Sequence, residues 1–250
     1  MPHRTFSIDE VADYLHLGRD DIERLLKTAD MPHSIRGAGR PVFLRGEIDA
    51  WASRRILDMP DRRLTAFHAK TLPAMRRIRD EDALMPELVC TDYIDLALAS
   101  RTKASVLRDM VDFAARTGRV SDPKALLASV LAREELCTTA LPGGIALLHA
   151  RHQEEFQYDG SFLLLGRTVQ TIPFGAADGG YTRLFFLLCC QDDRLHLHTL
   201  ARLCLMATKT DLLAQLWRAP DADSAHAILS ECEQTALLGK KPVATETEST

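Results

Sequence analysis

Two continuous apolar runs in the second half of the chain most restrict its fold. Residues 161–166 read SFLLLG and residues 181–190 read YTRLFFLLCC. Short runs without an alternating polar face are typical of strands that are covered on both sides. Residues 103–115 and 121–135 instead repeat their apolar side chains at helical spacing. Helices that alternate with buried strands predict an α/β domain with helices on both faces of a sheet.

The first sixty residues follow a different pattern. Ser7–Glu10 has the form of a capping box, which predicts that a helix begins there. The helical spacing breaks at Leu17-Gly18 and then resumes on a second short helix. Two short helices joined by so tight a turn predict a helix-turn-helix unit. Two strand-like segments follow around a Gly37–Gly39 tip, and a helix carrying Trp51 comes last.

Residues 4–57 resemble the excisionase-like, MerR-related winged helix-turn-helix family, and we expect this domain over residues 1–57. The similarity rests on FSIDEVADYL at the start, on MP before the hairpin and on FLRGEIDAW at the end. It implies that the second helix enters the major groove and that the hairpin lies along the DNA backbone. Six basic residues would then contact DNA: Arg19, Arg24 and Lys27 on the helix, with Arg36, Arg40 and Arg45 in the wing region.

Two carboxylates work against this DNA-binding hypothesis. Asp20 and Asp21 occupy the first turn of the second helix. Carboxylates there suit the helix dipole but repel phosphates, which supply most of the affinity for DNA. The alternative is therefore a small domain that is retained for contacts with proteins.

The next segment predicts a basic linker that is partly helical over residues 58–85, with an interruption at Pro73. Basic residues outnumber acidic ones in residues 1–79, and acidic residues outnumber basic ones in the remainder, for a net charge of −4. This division predicts two parts that face different partners. Residues 236–250 contain too few apolar side chains to fold and are expected to form a disordered tail.

Three motifs in the second half contain the candidate reactive residues. Arg133-Glu134 precedes Cys137-Thr138-Thr139, the segment GGIALLH ends at His149, and LHLHTL spans residues 195–200. A single histidine after an apolar run is usually a core residue, so its surroundings must decide its role. Zinc is a further possibility, although no cysteine pair or acidic residue completes the usual spacing. Its potential ligands are His149, His152, His196 and His198.

Together these motifs resemble the Enzyme IIA domains of the fructose/mannitol type in the bacterial phosphotransferase system, including their nitrogen-regulatory paralogues. The resemblance spans residues 86–235 and keeps the order and spacing of the R-E, G-S-T and G-I-A-I-P-H motifs. It implies an IIA-type sheet flanked by helices. It also implies that His149 accepts the phosphoryl group beside a second histidine, a phosphate-binding arginine and a hydroxyl pair: His196, Arg133, Thr138 and Thr139.

The residue types fit this chemistry. A neutral imidazole can attack phosphorus near pH 7, because its unperturbed pKa is about 6.5. An arginine fork can receive the negative oxygens of the moving phosphoryl group. Two positions depart from the family pattern, since Leu148 replaces the proline and Cys137 replaces the glycine. Neither change removes a group that the reaction needs.

The resemblance implies a bacterial regulator that carries a phosphohistidine and is a phosphotransferase component rather than a multiple-turnover enzyme. Its donor would be an HPr-like phosphocarrier protein, and its acceptor a IIB-like or regulated protein. We expect DNA binding through the N-terminal domain, and neither cofactor nor metal. The alternatives are a plain IIA carrier whose N-terminal domain binds only protein, and a DNA-binding or scaffold protein with an inert IIA domain.

The sequence also bears on the compartment. No apolar run approaches the roughly 20 residues that span a bilayer. The N-terminus, MPHRTFSIDE, lacks the apolar core of a signal peptide. We therefore expect a cytoplasmic protein without a membrane partner.

Overall fold

The computed structural model describes residues 5–15, 17–28, 31–36, 39–76, 84–151 and 158–238, apart from the side chains of Arg36, residues 72–76 and Leu238. Its N-terminal part contains, in chain order, β1 (Thr5–Phe6), α1 (Ile8–Leu15), α2 (Arg19–Lys27), β2 (Ser34–Arg36), β3 (Arg40–Leu44), α3 (Arg45–Leu57) and α4 (Asp61–Arg76). The three strands form one antiparallel sheet in the order β1-β3-β2.

The predicted capping box at the start of α1 is confirmed. The Ser7 amide donates to Oε2 of Glu10 at 2.7 Å, and the Glu10 amide donates to Oγ of Ser7 at 3.3 Å. These two bonds satisfy amides that the first helical turn leaves without partners. The sequence pattern therefore fixes where this helix begins.

Helix α4 departs from the predicted linker in two ways. It continues through Pro73 to Arg76, so the expected interruption at the proline is wrong. It is also not simply a solvated connection, because the side chains of Leu64, His68 and Thr71 are buried. This buried face packs against a helix of the C-terminal part, described next.

The C-terminal part is a mixed sheet with helices on both faces. Its elements are α5 (Met85–Leu88), β4 (Ile94–Leu98), α6 (Lys103–Arg116), α7 (Pro123–Leu136), β5 (Ala140–Leu141), β6 (Ile145–His149), β7 (Phe162–Ile172), β8 (Thr182–Cys189), α8 (Asp193–Lys209), α9 (Leu212–Arg218) and α10 (Ala222–Leu238). The strand order is β4-β7-β8-β6-β5. Strands β4 and β7 are parallel, as are β6 and β8, whereas the other neighbours are antiparallel.

Both faces of the central strands are covered, as their apolar runs predict. Leu184, Phe186 and Leu188 of β8 join a cluster that includes side chains of α8. The intervening Phe185 and Leu187 join a second cluster with side chains of α6 and α7. The expected α/β class, with a sheet flanked by helices, is thereby confirmed.

The two parts share one apolar core. Helices α3 and α4 both pack on α8. The cluster that contains Ile56 and Leu64 continues without interruption to Leu197 and Leu200 of α8. The N-terminal part is therefore packed against the C-terminal part.

The predicted tail overlaps the last helix. Helix α10 extends to Leu238, which is three residues into the predicted tail. The rest of that tail, residues 239–250, lies outside the described residues. Over the residues that the structure does describe, none of the helices combines the length and the hydrophobicity that crossing a membrane would require.

Candidate functional site

His149 is the last residue of β6, at the end of a parallel ladder in which it pairs with Leu188. A glycine pair precedes this strand, and Gly143 and Gly144 have φ values of 90° and 87°. L-residues rarely adopt such φ values. A Cβ on Gly144 would also lie 2.8 Å from the ring of Trp217. The glycine pair thus allows the turn that begins the strand of His149.

Two hydrogen bonds fix the tautomer of His149. Nε of Arg133 donates to Nε2 of His149 at 2.9 Å. Nδ1 of His149 lies 2.8 Å from the carbonyl oxygen of Leu147. Because a guanidinium is always a donor, Nε2 must carry the lone pair and Nδ1 must carry the proton. The nitrogen that can act as a nucleophile is therefore Nε2.

The surroundings keep this imidazole neutral. Burial is the largest cause that lowers the pKa of His149 well below its usual 6.5, and the charge of Arg133 and the nearby His196 lower it further. The hydrogen bond to the Leu147 carbonyl acts in the opposite direction. A neutral ring retains the lone pair that attack on an electrophile needs.

Arg133 occupies the last turn of α7 and is 1% exposed. Its Nη1 donates to the carbonyl oxygen of Cys137 at 3.0 Å and lies 3.4 Å from the sulfur of the same residue. Its Nη2 is buried and has no hydrogen-bond partner among the described residues. A buried donor of this kind costs about 1–3 kcal/mol and requires an explanation. An anionic oxygen beside His149 would satisfy it.

His196 lies in the first turn of α8, which Asp192 caps by accepting from the Leu195 amide at 2.9 Å. The ring centroids of His149 and His196 are 4.9 Å apart. Burial, followed by the charge of Arg133, lowers the pKa of His196 to about 3. The structure therefore brings together three predicted site residues, namely His149, His196 and Arg133.

The two predicted site threonines hold the loop after α7. Thr139 donates its hydroxyl to Oε2 of Glu134 at 2.6 Å and its amide to the same carboxylate. Thr138 donates its hydroxyl to the carbonyl oxygen of Phe174 at 3.2 Å. Lys103 forms an ion pair with Glu134 at 2.6 Å. The positioning roles of Glu134 and Lys103 were not predicted, although Glu134 stands within the R-E motif.

His198 lies apart from the His149–His196 pair. Its ring stacks on that of His68 with centroids 4.5 Å apart, and its Nδ1 lies 2.7 Å from Oγ1 of Thr71. His152 lies outside the described residues. Within the part of the chain that the structure describes, no three His, Cys, Asp or Glu side chains are grouped to hold a metal ion. The geometry gives no support to the four-histidine zinc alternative.

The predicted DNA-contacting residues have mixed surroundings. Arg19 pairs with Asp9 and Glu23, and Arg24 pairs with Asp21. Lys27 and Arg40 are exposed, and the side chain of Arg36 lies outside the described residues.

Arg45 differs from the expectation for a wing residue. Its guanidinium forms an ion pair with Asp193, which is buried in the first turn of α8. This ion pair links the two parts of the chain. The winged helix-turn-helix resemblance around Arg45 did not predict the contact.

A helix of the N-terminal part reaches the site. Oγ of Ser53 in α3 lies 3.5 Å from Nε2 of His196. His149 and His196 are 1% and 2% exposed. Sequence reasoning missed Ser53, because nothing in the local pattern of α3 points to a residue 143 positions away.

Comparison with known proteins places the C-terminal part within a protein family. Residues 87–232 match the family model for the phosphoenolpyruvate-dependent sugar phosphotransferase system, EIIA 2. The nitrogen regulatory protein of Bradyrhizobium diazoefficiens is 30% identical over 153 residues, which are 60% of this chain and 97% of that protein.

Two further comparisons agree with the family match. The fructose-specific EIIABC component of Bacillus subtilis is 26% identical over 147 residues, which are 58% of this chain but only 23% of that longer protein. The crystal structure of nitrogen regulatory protein IIA-Ntr from Neisseria meningitidis superposes with a TM-score of 0.53 at 24% identity, over 59% of this chain and 99% of that one. This last similarity concerns the fold.

Proposed function

The chain belongs to the EIIA 2 family of the phosphoenolpyruvate-dependent sugar phosphotransferase system, and we propose that it accepts a phosphoryl group on Nε2 of His149. The donor is an HPr-like phosphocarrier protein. The observation that carries the proposal is the position of Arg133, which donates to the Nε2 lone pair while a second buried donor, Nη2, lacks a partner among the described residues.

The transfer exchanges one nitrogen–phosphorus bond for another. The bond between phosphorus and the donor's imidazole breaks, and its electron pair returns to that nitrogen. The lone pair on Nε2 of His149 forms the new bond, and Nδ1 keeps its proton, which it donates in a hydrogen bond to the carbonyl oxygen of Leu147. Arg133, which donates to the Nε2 lone pair at rest, then donates to the phosphoryl oxygens, and one of these oxygens accepts a hydrogen bond from Nη2. Charge stabilisation and positioning of this kind supply most of the catalysis in phosphoryl transfer.

His196 contributes a second imidazole next to the first. With its pKa lowered to about 3, the ring is neutral at pH 7 and can donate one hydrogen bond to a phosphoryl oxygen. The start of α8 also supports an anion there, because helix N-termini carry partial positive charge. Thr138, Thr139 and Glu134 keep the loop beside Arg133 in place.

For the N-terminal part, we propose a winged helix-turn-helix that couples the phosphoryl state to DNA binding. Two helices, α1 and α2, precede the β2–β3 hairpin and α3, which is the expected element order. Exposed Lys27 and Arg40 are available for phosphate contacts. The acceptor is a IIB-like protein or a regulated partner.

One observation favours a second candidate, in which this part binds only protein. Arg19 is paired with Asp9 of α1 and with Glu23 of its own helix. Arg24 is paired with Asp21, and Arg45 with Asp193. Basic groups that are already paired attract phosphates less strongly. A DNA-binding measurement separates the two candidates.

Phosphohistidine mapping tests the phosphoryl function. The full chain is incubated with a phosphorylated HPr-like carrier, and acid-labile phosphate is located by peptide mapping. One phosphate is expected on His149, and none in the His149→Ala variant. His226→Ala is the matched control, since this histidine bonds the Val89 carbonyl away from the site. Equal labelling of His149→Ala and wild type would overturn the assignment.

A further inference from the structure

The N-terminal part packs against the helix that carries His196, the neighbour of His149. Helices α3 and α4 pack on α8, the helix whose first turn carries His196. For transfer, the reacting phosphorus must come within about 3–3.5 Å of Nε2 of His149. A residue that is 1% exposed cannot meet a phosphohistidine on the surface of another protein. The observed arrangement is therefore closed to a protein donor.

Among the described residues, at least five polar contacts link this part to α8, one of them the exposed Lys209–Asp61 pair at 3.4 Å. Two lie near the site: Arg45 forms an ion pair with Asp193, and Ser53 contacts His196. Two lie further along the helix, where Thr71 bonds His198 at 2.7 Å and Nε of Arg202 donates to His68 at 2.6 Å. We call this row of contacts the polar seam.

The composition of the seam suits a contact that opens and closes. Interfaces between parts of one chain resemble transient protein interfaces and are more polar than permanent ones. Ion pairs that leave water gain little over their separated, hydrated partners. The Arg45 side chain is 28% exposed even in the closed arrangement, so opening its pair with buried Asp193 costs little once water reaches both groups. The apolar side chains of Ile56 and Leu64, which pack in the shared core, favour the closed state at rest.

We propose that residues 5–76 form a cap on the docking surface for the phosphocarrier, and that the cap must open before His149 is phosphorylated. This inference rests on the proposed phosphoryl transfer to His149 and supplies its regulation. The cap and the phosphocarrier compete for one surface, the face of α8 next to His196.

Linkage makes the regulation reciprocal. A phosphoryl group on His149 brings about two negative charges at pH 7 into a closed site. A charge that is cut off from water costs more free energy than the same charge in contact with water, and in the closed arrangement His149 is only 1% exposed. Phosphorylation thus favours the open cap, and any partner that binds the open cap favours phosphorylation by the same factor.

The test breaks the seam in the full chain with Arg45→Glu, which sets a carboxylate against Asp193. Arg63→Glu is the matched control, because it makes the same charge change on an exposed residue of α4. Diethyl pyrocarbonate reports the accessibility of each histidine by peptide mass mapping, with exposed His33 as internal reference. Phosphorylated carrier and the small donor phosphoramidate then report transfer.

We expect His149 of wild type and of Arg63→Glu to react with diethyl pyrocarbonate at least ten-fold more slowly than His33. In Arg45→Glu the two rates should converge, and labelling by the carrier should rise ten-fold or more. Thr71→Ala, which removes the hydroxyl that contacts His198, provides a milder opening if Arg45→Glu does not fold. Its carrier labelling should rise at least three-fold.

The outcomes separate the cap from the proposed function. If His149 of wild type reacts with diethyl pyrocarbonate as fast as His33, or if the carrier labels wild type and the folded seam variant equally, the cap is overturned. If His149 of the seam variant becomes accessible but neither donor labels it, the cap stands and the proposed phosphoryl function fails.

Discussion

Nε of Arg202 donates a hydrogen bond to Nε2 of His68 at 2.6 Å, which places a permanent cation against an imidazole from another part of the chain. Burial first, and then this cation, lower the pKa of His68 to about 3. His196 and His149 have pKa values that are lowered for related reasons. Three histidines are thus held neutral in the folded protein.

The first prediction is that stability falls as the pH is lowered. Above about pH 6.5 the folded and unfolded states bind the same number of protons at these histidines, so their contribution is constant. Between pH 6.5 and pH 3 these histidines bind protons in the unfolded chain but not in the folded one. Each such histidine lowers the free energy of unfolding by about 1.4 kcal/mol per pH unit in that window.

Asp49 opposes this trend by at most one proton. Burial raises the pKa of Asp49 to about 6, so below pH 6 the folded protein binds a proton there that the unfolded chain does not yet bind. The expected net slope near pH 5 is about 3 kcal/mol per pH unit, from three histidines less one carboxyl group. Urea unfolding at pH 7.5, 6 and 5 measures it. His68→Gln should reduce the slope by the contribution of one proton, about 1.4 kcal/mol per pH unit. An unchanged slope would contradict the low pKa of His68.

The second prediction concerns Arg133. Arg133→Lys keeps the charge but loses the planar fork that reaches His149 and the phosphoryl oxygens together. We expect transfer from the carrier to slow ten-fold or more while the circular dichroism spectrum is unchanged. Arg151→Lys, at an exposed position, is the control and should transfer at the wild-type rate. A wild-type rate in Arg133→Lys would show that the fork is not used.

The third prediction concerns Glu134. Its carboxylate contacts three donors, namely the amide and the hydroxyl of Thr139 and the ammonium group of Lys103. Glu134→Gln places an amide nitrogen against one of these donors. The expected loss is about 1–3 kcal/mol in the free energy of unfolding, by urea titration at pH 7.5. Glu135→Gln changes the exposed neighbour and should cost nothing measurable. Equal stabilities for the two variants would exclude a positioning role for Glu134.

The fourth prediction concerns DNA. If the N-terminal part binds duplex, Arg40→Ala should weaken binding and lower the slope of log affinity against log salt by about one unit, whatever the base sequence. Fluorescence anisotropy of the full chain at several salt concentrations measures this slope. Arg108→Ala, on the exposed face of α6, should leave it unchanged. Absence of binding even at low salt would leave the protein-binding alternative.

Local patterns predict the elements and most of the site. The apolar runs predict β7 and β8, and the capping box predicts the start of α1. The resemblance of three motifs to Enzyme IIA domains implies that Arg133, His149 and His196 meet, and the structure brings them together. Each signal is short in sequence, so it can be read without knowledge of the tertiary structure.

The contacts that close the site have no such local signal. Arg45 meets Asp193 and Ser53 meets His196 across separations of 148 and 143 residues. Neither pair shows a sequence pattern, because docking of α3 and α4 on α8 depends on the whole shared core. The helix interruption predicted at Pro73 is wrong for a related reason, since the packing of α4 on α8 outweighs the usual cost of proline within a helix.

The Nη2 of Arg133, which has no partner among the residues that the structure describes, has a consequence for heat resistance. A buried donor without an acceptor makes the resting protein less stable than its own fold would allow, by about 1–3 kcal/mol. A phosphoryl oxygen on His149 supplies the missing acceptor. With the cap open in both forms, as in Arg45→Glu, the phosphorylated protein should therefore melt at a higher temperature than the resting one, so that the group being relayed also acts as a structural ligand while it is held.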